Sequence, residues 1–320
     1  CTTMLDGHRD SVLGAMVVRD GRIIVSWSKD GSLRLWDAAT GLCTAVLDEH
    51  RHAVIGAIIL PDGAILSWSL DHTLRVWDSA TGACITVLRG HTHLVWGATV
   101  LSHARILSWQ ELALRVWDSA TGTCTAVLEA QMSGVRGATV APDGRILSWS
   151  NDRTVRVWDA ATGACTAVLM GHTGAVAGAT ALPDGRILSW SRDKSLRLWN
   201  AATGACTAVL EGHTSSVMNA TALSDRRILS WSGDIFLGDK TLRIWDIATG
   251  ACTAVLEGHG AWVTGVAVLP EPDGRILSCS KDNTLRLWDA ATGACTAVLA
   301  GHTDSVQGAT VVPDGRILSW

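Results

Sequence analysis

Histidine, serine and aspartate recur together along this 320-residue chain, and that trio is the raw material of nucleophilic hydrolysis. The first set is His8, Ser26 and Asp30, followed by Trp36. The fifth is His172, Ser189 and Asp193, followed by Trp199, and a partial last set holds His302 and Ser319. In a triad serine attacks, histidine takes its proton and aspartate orients the histidine, and the triad is recognised by geometry and role, not by composition. An active site occurs once, whereas this set recurs intact about five times. Repetition therefore assigns it a structural role. No carboxylate pair or unique Ser/His/Asp set departs from the repeat, and no GxxxxGK[ST] phosphate loop is present. The chain reads as non-enzymatic, with no catalytic residues and no cofactor.

Nine cysteines raise the alternatives of disulfides and metal. Cys1, Cys43, Cys84, Cys124, Cys165, Cys206, Cys252 and Cys295 fall about one repeat apart, each opening a CTAVL-like strand. Metal sites want close pairs such as CxxC, and none exists. Cysteines at one repeat position belong to different repeats, too far apart for the ~5.5–6 Å Cα separation of a disulfide. They are expected to pack as small buried thiols, like Ala or Val. Cys279 stands where other repeats place Trp. Free thiols throughout point to a reducing compartment, the cytoplasm.

The net charge of −4 supplies no electrostatic reason to expect nucleic acid or anionic lipid as a partner. Framework basic residues such as Arg34, Arg75, Arg145 and Arg286 are spread evenly, not gathered in a stripe. No apolar run reaches the ~18 residues needed to cross a bilayer, and no charged-then-apolar leader opens the chain.

The elements that must position these residues come from internal repetition. The segment GRILSWSxDxTLRLWDAATGACTAVLEGHTxxVxGATxLPD recurs with small changes over the whole chain, which explains 16 Trp beside one Phe and no Tyr. The Trp of the Trp-Asp step falls at 36, 77, 117, 158, 199, 245 and 288, a spacing suited to four short strands and their turns. In the fourth copy the expected strands are 137–140, 145–150, 155–159 and 165–169, each rich in Val, Ile, Leu, Thr or Trp and bounded by Gly, Asp or Pro. Long helices are excluded because every stretch is broken by Gly or Asp within about ten residues.

The Gly-His, Ser-x-Asp and Trp-Asp steps at this spacing resemble the WD-repeat family across essentially all of the chain. That resemblance implies an all-β, WD-repeat β-propeller of four-stranded blades. It also implies that Trp, Ser, His and Asp of each repeat form a buried hydrogen-bond network: Trp36, Ser26, His8 and Asp30 in the first, Trp199, Ser189, His172 and Asp193 in the fifth, with His302 and Ser319 in the last. Eight ILSW-type strands are present against seven Trp-Asp steps, so eight blades are expected in a single domain over 1–320, the closing blade shared between the two chain ends. Seven blades with overhanging ends is the alternative. The near-identity of the repeats resembles the WD arrays at the end of large signalling NTPases, which would make the chain the sensor part of a multidomain protein.

Departures from the repeat locate its weak points and its candidate function. Gln110-Glu111-Leu112 replaces a Ser-x-Asp turn, and Gln131 stands where His belongs, so units three and four are expected to carry incomplete networks. The Pro-Asp-Gly and Ala-Thr-Gly turns barely vary. The segments after Gly-His and around Ser-x-Asp vary heavily, and in an up-and-down blade these two lie on one face. Diversity confined to one face of a standard frame reads as a binding surface. Its expected partner-binding residues are Leu13, Ile55, Trp96, Met132 and Arg136, then Met218 and Trp262, with Thr264 and Gln307 at equivalent positions. Trp, Met and Arg are interface-enriched types, so the expected partner is a protein or peptide, not a nucleic acid or a membrane. A small ligand or glycan at the channel mouth is the alternative.

Overall fold

The computed structural model describes residues 5–18, 21–102, 104–129, 133–223, 226–233, 238–269, 274–311 and 317–319, and every regular element among them is a β-strand. In the first repeat the strands are Val12–Val17, Ile23–Ser28, Leu33–Asp37 and Cys43–Leu47, each antiparallel to the next in chain order. Further four-stranded sheets of the same order lie within 54–88, 97–128, 135–169, 176–210, 217–256 and 263–300. This strand order puts the second-to-third turn and the connection to the next sheet at one end of each sheet, and the remaining two turns at the other.

The chain divides into two compact units, residues 1–152 with 156–166, and residues 153–155 with 167–320. Within each, aliphatic residues of one sheet pack on the next sheet's Trp-Asp tryptophan. In the first unit Val25, Leu33 and Leu47 meet Val54, Ile65 and Trp77, and Leu66, Leu74 and Leu88 meet Val95, Ile106 and Trp117. In the second, Leu188 and Leu196 meet Ile228 and Trp245, while Leu229 and Leu242 meet Ile276 and Trp288. Central strands are thus covered on both faces, which explains why ILSWS lacks the polar/apolar alternation of a half-exposed strand.

In the first five sheets the tryptophan of the ILSW strand has a steric partner, whereas in the sixth Trp231 faces Asn219. A Cβ added to Gly14, Gly56, Gly97, Gly137 or Gly178 would fall 2.1–2.4 Å from a ring carbon of Trp27, Trp68, Trp109, Trp149 or Trp190. The indole therefore lies across the glycine paired opposite it in the neighbouring strand. In the seventh sheet Gly265 faces Cys279 instead.

Two expectations are corrected. The described residues hold seven four-stranded sheets, and the eighth unit forms only a two-stranded sheet, Ala309–Val311 with Ile317–Ser319. No third strand pairs with this hairpin among the described residues. Val12 is 55% exposed, whereas its equivalents Val54 and Val95 are fully buried. The cysteines are also not buried: Cys43, Cys124, Cys165, Cys206, Cys252 and Cys295 are exposed, because each opens the fourth, outermost strand of its sheet. Among the described residues Cys279 is the buried thiol.

Candidate functional site

The repeated polar residues converge within each sheet. In the first, Trp36 Nε1 donates to Ser26 Oγ at 2.8 Å, Ser26 Oγ lies 2.7 Å from His8 Nε2, and His8 Nδ1 lies 3.0 Å from Asp30 Oδ2. Trp199, Ser189, His172 and Asp193 form the same chain, each link 2.8 Å long. The second, sixth and seventh sheets repeat it. The proton order that satisfies every member runs from Trp N–H to Ser, from Ser O–H to His Nε2, and from His Nδ1–H to the carboxylate.

The aspartate is the hub. Asp71 also accepts from the Arg51 N–H at 3.0 Å, the Thr73 N–H at 2.9 Å and the Thr73 hydroxyl at 2.6 Å. Burial opposes the charge of Asp71, Asp193 and Asp239, yet the bonds from His and from the neighbouring hydroxyl outweigh it and hold these carboxyls well below their usual range. The serines at the centre (Ser67, Ser189, Ser230, Ser278) are fully buried, so no substrate reaches the hydroxyl. The geometry ties two strands to two turns and engages these serine hydroxyls between Trp and His. His302 and Ser319 also pair, at 2.7 Å, but in an exposed position. Among the described residues no group of three or more His, Cys, Asp or Glu converges to hold a metal ion.

The third sheet overturns the expectation of an incomplete network. Gln110 Oε1 lies 2.9 Å from His91 Nδ1 and accepts from the Thr92 N–H at 3.1 Å, taking the place of the aspartate. Gln110 sits earlier in the turn than the usual aspartate, and its longer side chain spans the difference. Pairing is restored but charge is not: burial, reinforced by Arg115 against the Gln110 bond, lowers the His91 pKa to about 4. The unfolded chain protonates this histidine near pH 6.5, the folded chain only near 4. Its contribution is complete above pH 6.5 and is lost as pH falls through that window, by roughly 3 kcal/mol at pH 4. An NMR titration should place the His91 imidazole near pH 4, and an ordinary midpoint near 6.5 would contradict the assignment. In the fourth sheet Trp158 donates to Ser148 at 2.8 Å, while Gln131 lies outside the described residues.

The same bonds fasten the two variable segments together. Asp30, Asp71, Asp193 and Asp282 on the second-to-third turns accept from backbone N–H groups of Arg9, Arg51, Thr173 and Gly260 after Gly-His. At the head of the first strand the register slips by one residue, from Val12 to Gly14 against Ser28 and Trp27. Leu13 is the extra residue of a β-bulge. Ile55, Arg136, Met218 and Thr264 are the extra residues at the same place in their sheets. A bulge releases one side chain from the pleat and re-aims it. Sequence reading found these positions by their variability but missed the bulge, whose signal is the lone variable residue between Val and Gly.

Within the first unit Leu13 and Trp96 are 40% and 54% exposed, Ile55 is half-buried, and the Arg136 guanidinium bonds Asn151 Oδ1 at 3.1 Å. Met132 lies outside the described residues. In the second unit Met218 and Trp262 flank one point: the Cβ position of Gly233 is 3.3 Å from Met218 Cγ and 3.9 Å from Trp262 Cβ. Lys281 Nζ lies 5.8 Å from the Trp262 ring centroid. Gln307 is exposed. Thr264 is engaged in the frame, its hydroxyl donating to the Val306 carbonyl at 2.6 Å.

The opposite end of each sheet is constant for a mechanical reason. Asp37 Oδ1 accepts from the N–H groups of Ala39 and Thr40 and from the Thr40 hydroxyl, which hold its carboxyl below the usual range. Arg105 reaches from the third sheet to the Ala160 carbonyl of the fourth at 2.8 Å, and Arg186 from the fifth to the Ile247 carbonyl of the sixth at 3.2 Å. These turns are fixed because their atoms are bonded. Their constancy alone therefore does not make the other end functional.

A family model described as WD domain, G-beta repeat (WD40) matches residues 1–37, 41–78, 122–159, 163–200, 204–246 and 250–289. The unmatched stretch between 78 and 122 is the third repeat, with its Gln110 substitution. The chain is similar to a crystal structure titled as the computationally designed Ika8 protein, at 26% identity and TM-score 0.81, over 99% of this chain and 98% of that one. A search for similar curated proteins finds no match.

Proposed function

We propose, from the premise that this chain belongs to the WD40 (WD domain, G-beta repeat) family, that it is a non-enzymatic interaction scaffold that binds a protein or peptide through its variable loops. WD40 domains generally serve as protein-interaction scaffolds. The reading extends that role to one end of the sheets and to a sensor part within a larger signalling chain. One observation carries it: the residues that differ most between near-identical repeats are those that bulges push out of the pleat, and Trp96, just ahead of its inner strand, is 54% exposed.

Backbone strain adds support. Where the first sheet has Gly31 in the left-handed region (φ 84°), the second, fourth, fifth and seventh hold His72, Arg153, Lys194 and Asn283 at φ 67–73°. Glycine would relax each of these turns, so retention of bulky side chains at a cost of about 1 kcal/mol favours a use for them. Lys194→Gly is expected to raise stability by about 0.5–1 kcal/mol in thermal or denaturant unfolding. An unchanged or lower midpoint would remove the strain argument.

The binding test uses peptides selected on the intact chain from a random dodecamer library. Trp96→Ala is expected to weaken their binding by about 2 kcal/mol, roughly thirtyfold in Kd, with an unchanged melting temperature. Equal affinity for the wild type and the variant in isothermal titration calorimetry would eliminate the arc of Leu13, Ile55, Trp96 and Arg136.

A further inference from the structure

The second sheet departs from the repeat at three positions, two of which line one cavity while the third pairs with a residue of its wall. Glu49 replaces the Gly of Gly-His, Arg51 follows His50 where Thr is commonest, and Arg89 follows the fourth strand where Asp6, Asp48, Glu129, Glu211 and Glu257 stand in other repeats. Arg51 and Arg89, with the standard residues Asp71, Thr73 and Arg75, line a cavity of about 80 Å³. Arg75 is only 7% exposed and is held by an ion pair to Glu49 and by Cys84 Sγ at 3.6 Å. The Asp71 carboxylate is already saturated by His50, Thr73 and the Arg51 N–H. Arg51 and Arg89 are exposed and form no ion pair among the described residues.

The geometry points to an anion subsite in this cavity, which seats an oxyanion-bearing side chain of a bound peptide between Arg51 and Arg89. The inference rests on the peptide-binding reading above and names the chemistry it selects. Two unpaired guanidiniums in a recess with a buried third are suited to bidentate recognition of a carboxylate or a phosphoryl group. The recess is small, which suits a single oxyanion group. Charge reversal at Arg89 turns a position that is acidic in five repeats into an attractive one, without altering the frame.

The test takes peptides selected as above, each made in three forms: with its acidic residues, with those replaced by Asn or Gln, and with phosphoserine in their place. Wild type, Arg51→Ala/Arg89→Ala and Arg51→Lys/Arg89→Lys are compared at low and high salt. The expected result is enrichment of Asp or Glu in the selected peptides and a loss of tenfold or more for their acidic forms on the double alanine variant. The neutral forms should bind both proteins alike. Tighter binding of the phosphoserine form identifies phosphoryl as the source, and tighter binding of the Asp or Glu form identifies carboxylate. The lysine variant should recover part of the affinity, since it keeps charge and loses the fork, and it serves if the alanine variant melts early. Equal loss for acidic and neutral forms would overturn the subsite and leave peptide binding standing. No selected peptide at all would overturn both. A single-stranded DNA oligonucleotide that binds more tightly than any peptide would reassign the occupant and overturn the inference.

Discussion

His213→Ala is expected to destabilise the sixth sheet by about 3–5 kcal/mol, the largest effect of any single network substitution. His213 bridges Ser230 Oγ at 2.8 Å and Asp239 Oδ2 at 2.9 Å, with the His and Asp side chains 0% and 2% exposed. Removal leaves a buried carboxylate short of one partner and a buried serine hydroxyl without its acceptor. The remaining bonds to Asp239, from the N–H groups of Thr214 and Thr241 and the Thr241 hydroxyl, keep the loss from being larger. His8→Ala is the control, because Asp30 is more open (10% against 2%) and water can replace the imidazole; about 1–2 kcal/mol is expected there. Repeat proteins lose stability locally, so hydrogen exchange resolved by sheet is the suitable measurement. Protection should fall in strands Val217–Ala222 and Arg227–Ser232 and hold elsewhere in the unit. Equal costs for His213→Ala and His8→Ala would show that burial of the pair does not govern its worth.

Gly178→Ala is expected to cost about 2–3 kcal/mol, more than a surface glycine substitution in a strand, because the added methyl meets Trp190 and not solvent. Its Cβ would lie 2.1 Å from Cζ2 and 2.3 Å from Cε2 of an indole that is itself buried against the Leu188, Leu196 and Val217 cluster. The indole must leave that cluster or the strands must part. The chain contains its own comparison: Cys279 replaces the tryptophan opposite Gly265, with its Sγ 3.1 Å from the position a Cβ would take. In a Trp190→Cys background the added methyl should therefore cost less than about 1 kcal/mol. A double-mutant cycle by denaturant unfolding measures the coupling, expected at about 1–2 kcal/mol. Additive costs would mean that glycine is retained for backbone reasons and not for the ring.

Much of this fold is readable along the chain because each repeat is a local unit. In the fourth sheet the later strands are Ile146–Ser150, Val155–Trp158 and Cys165–Leu169, within a residue of their expected bounds, since turn residues and β-branched runs mark them directly. The first strand begins at Val135, two residues earlier than expected, because the bulge at Arg136 hides its opening from any period-two pattern. The third network was misjudged for a related reason: Gln110 lies two residues from Ser108, where no Asp is expected, and only the folded turn reveals that its amide reaches His91. Thiol exposure was misjudged because composition says nothing about which strand of a sheet is outermost.

What the residues determined unaided is periodic and short-range: the repeat, its four strands, the turns between them and the set of polar side chains each unit carries. Hydrogen-bond valence and turn chemistry act over a few residues, so they leave their mark in a linear string. Tertiary structure decided what depends on through-space approach. It laid the ILSW indoles of the first five sheets over glycines, let a glutamine stand in for an aspartate, pushed variable residues out on bulges, and brought Arg51 and Arg89 to one cavity. Steric fit and charge proximity are set by distances between atoms up to tens of residues apart, and those distances exist only once the strands have paired.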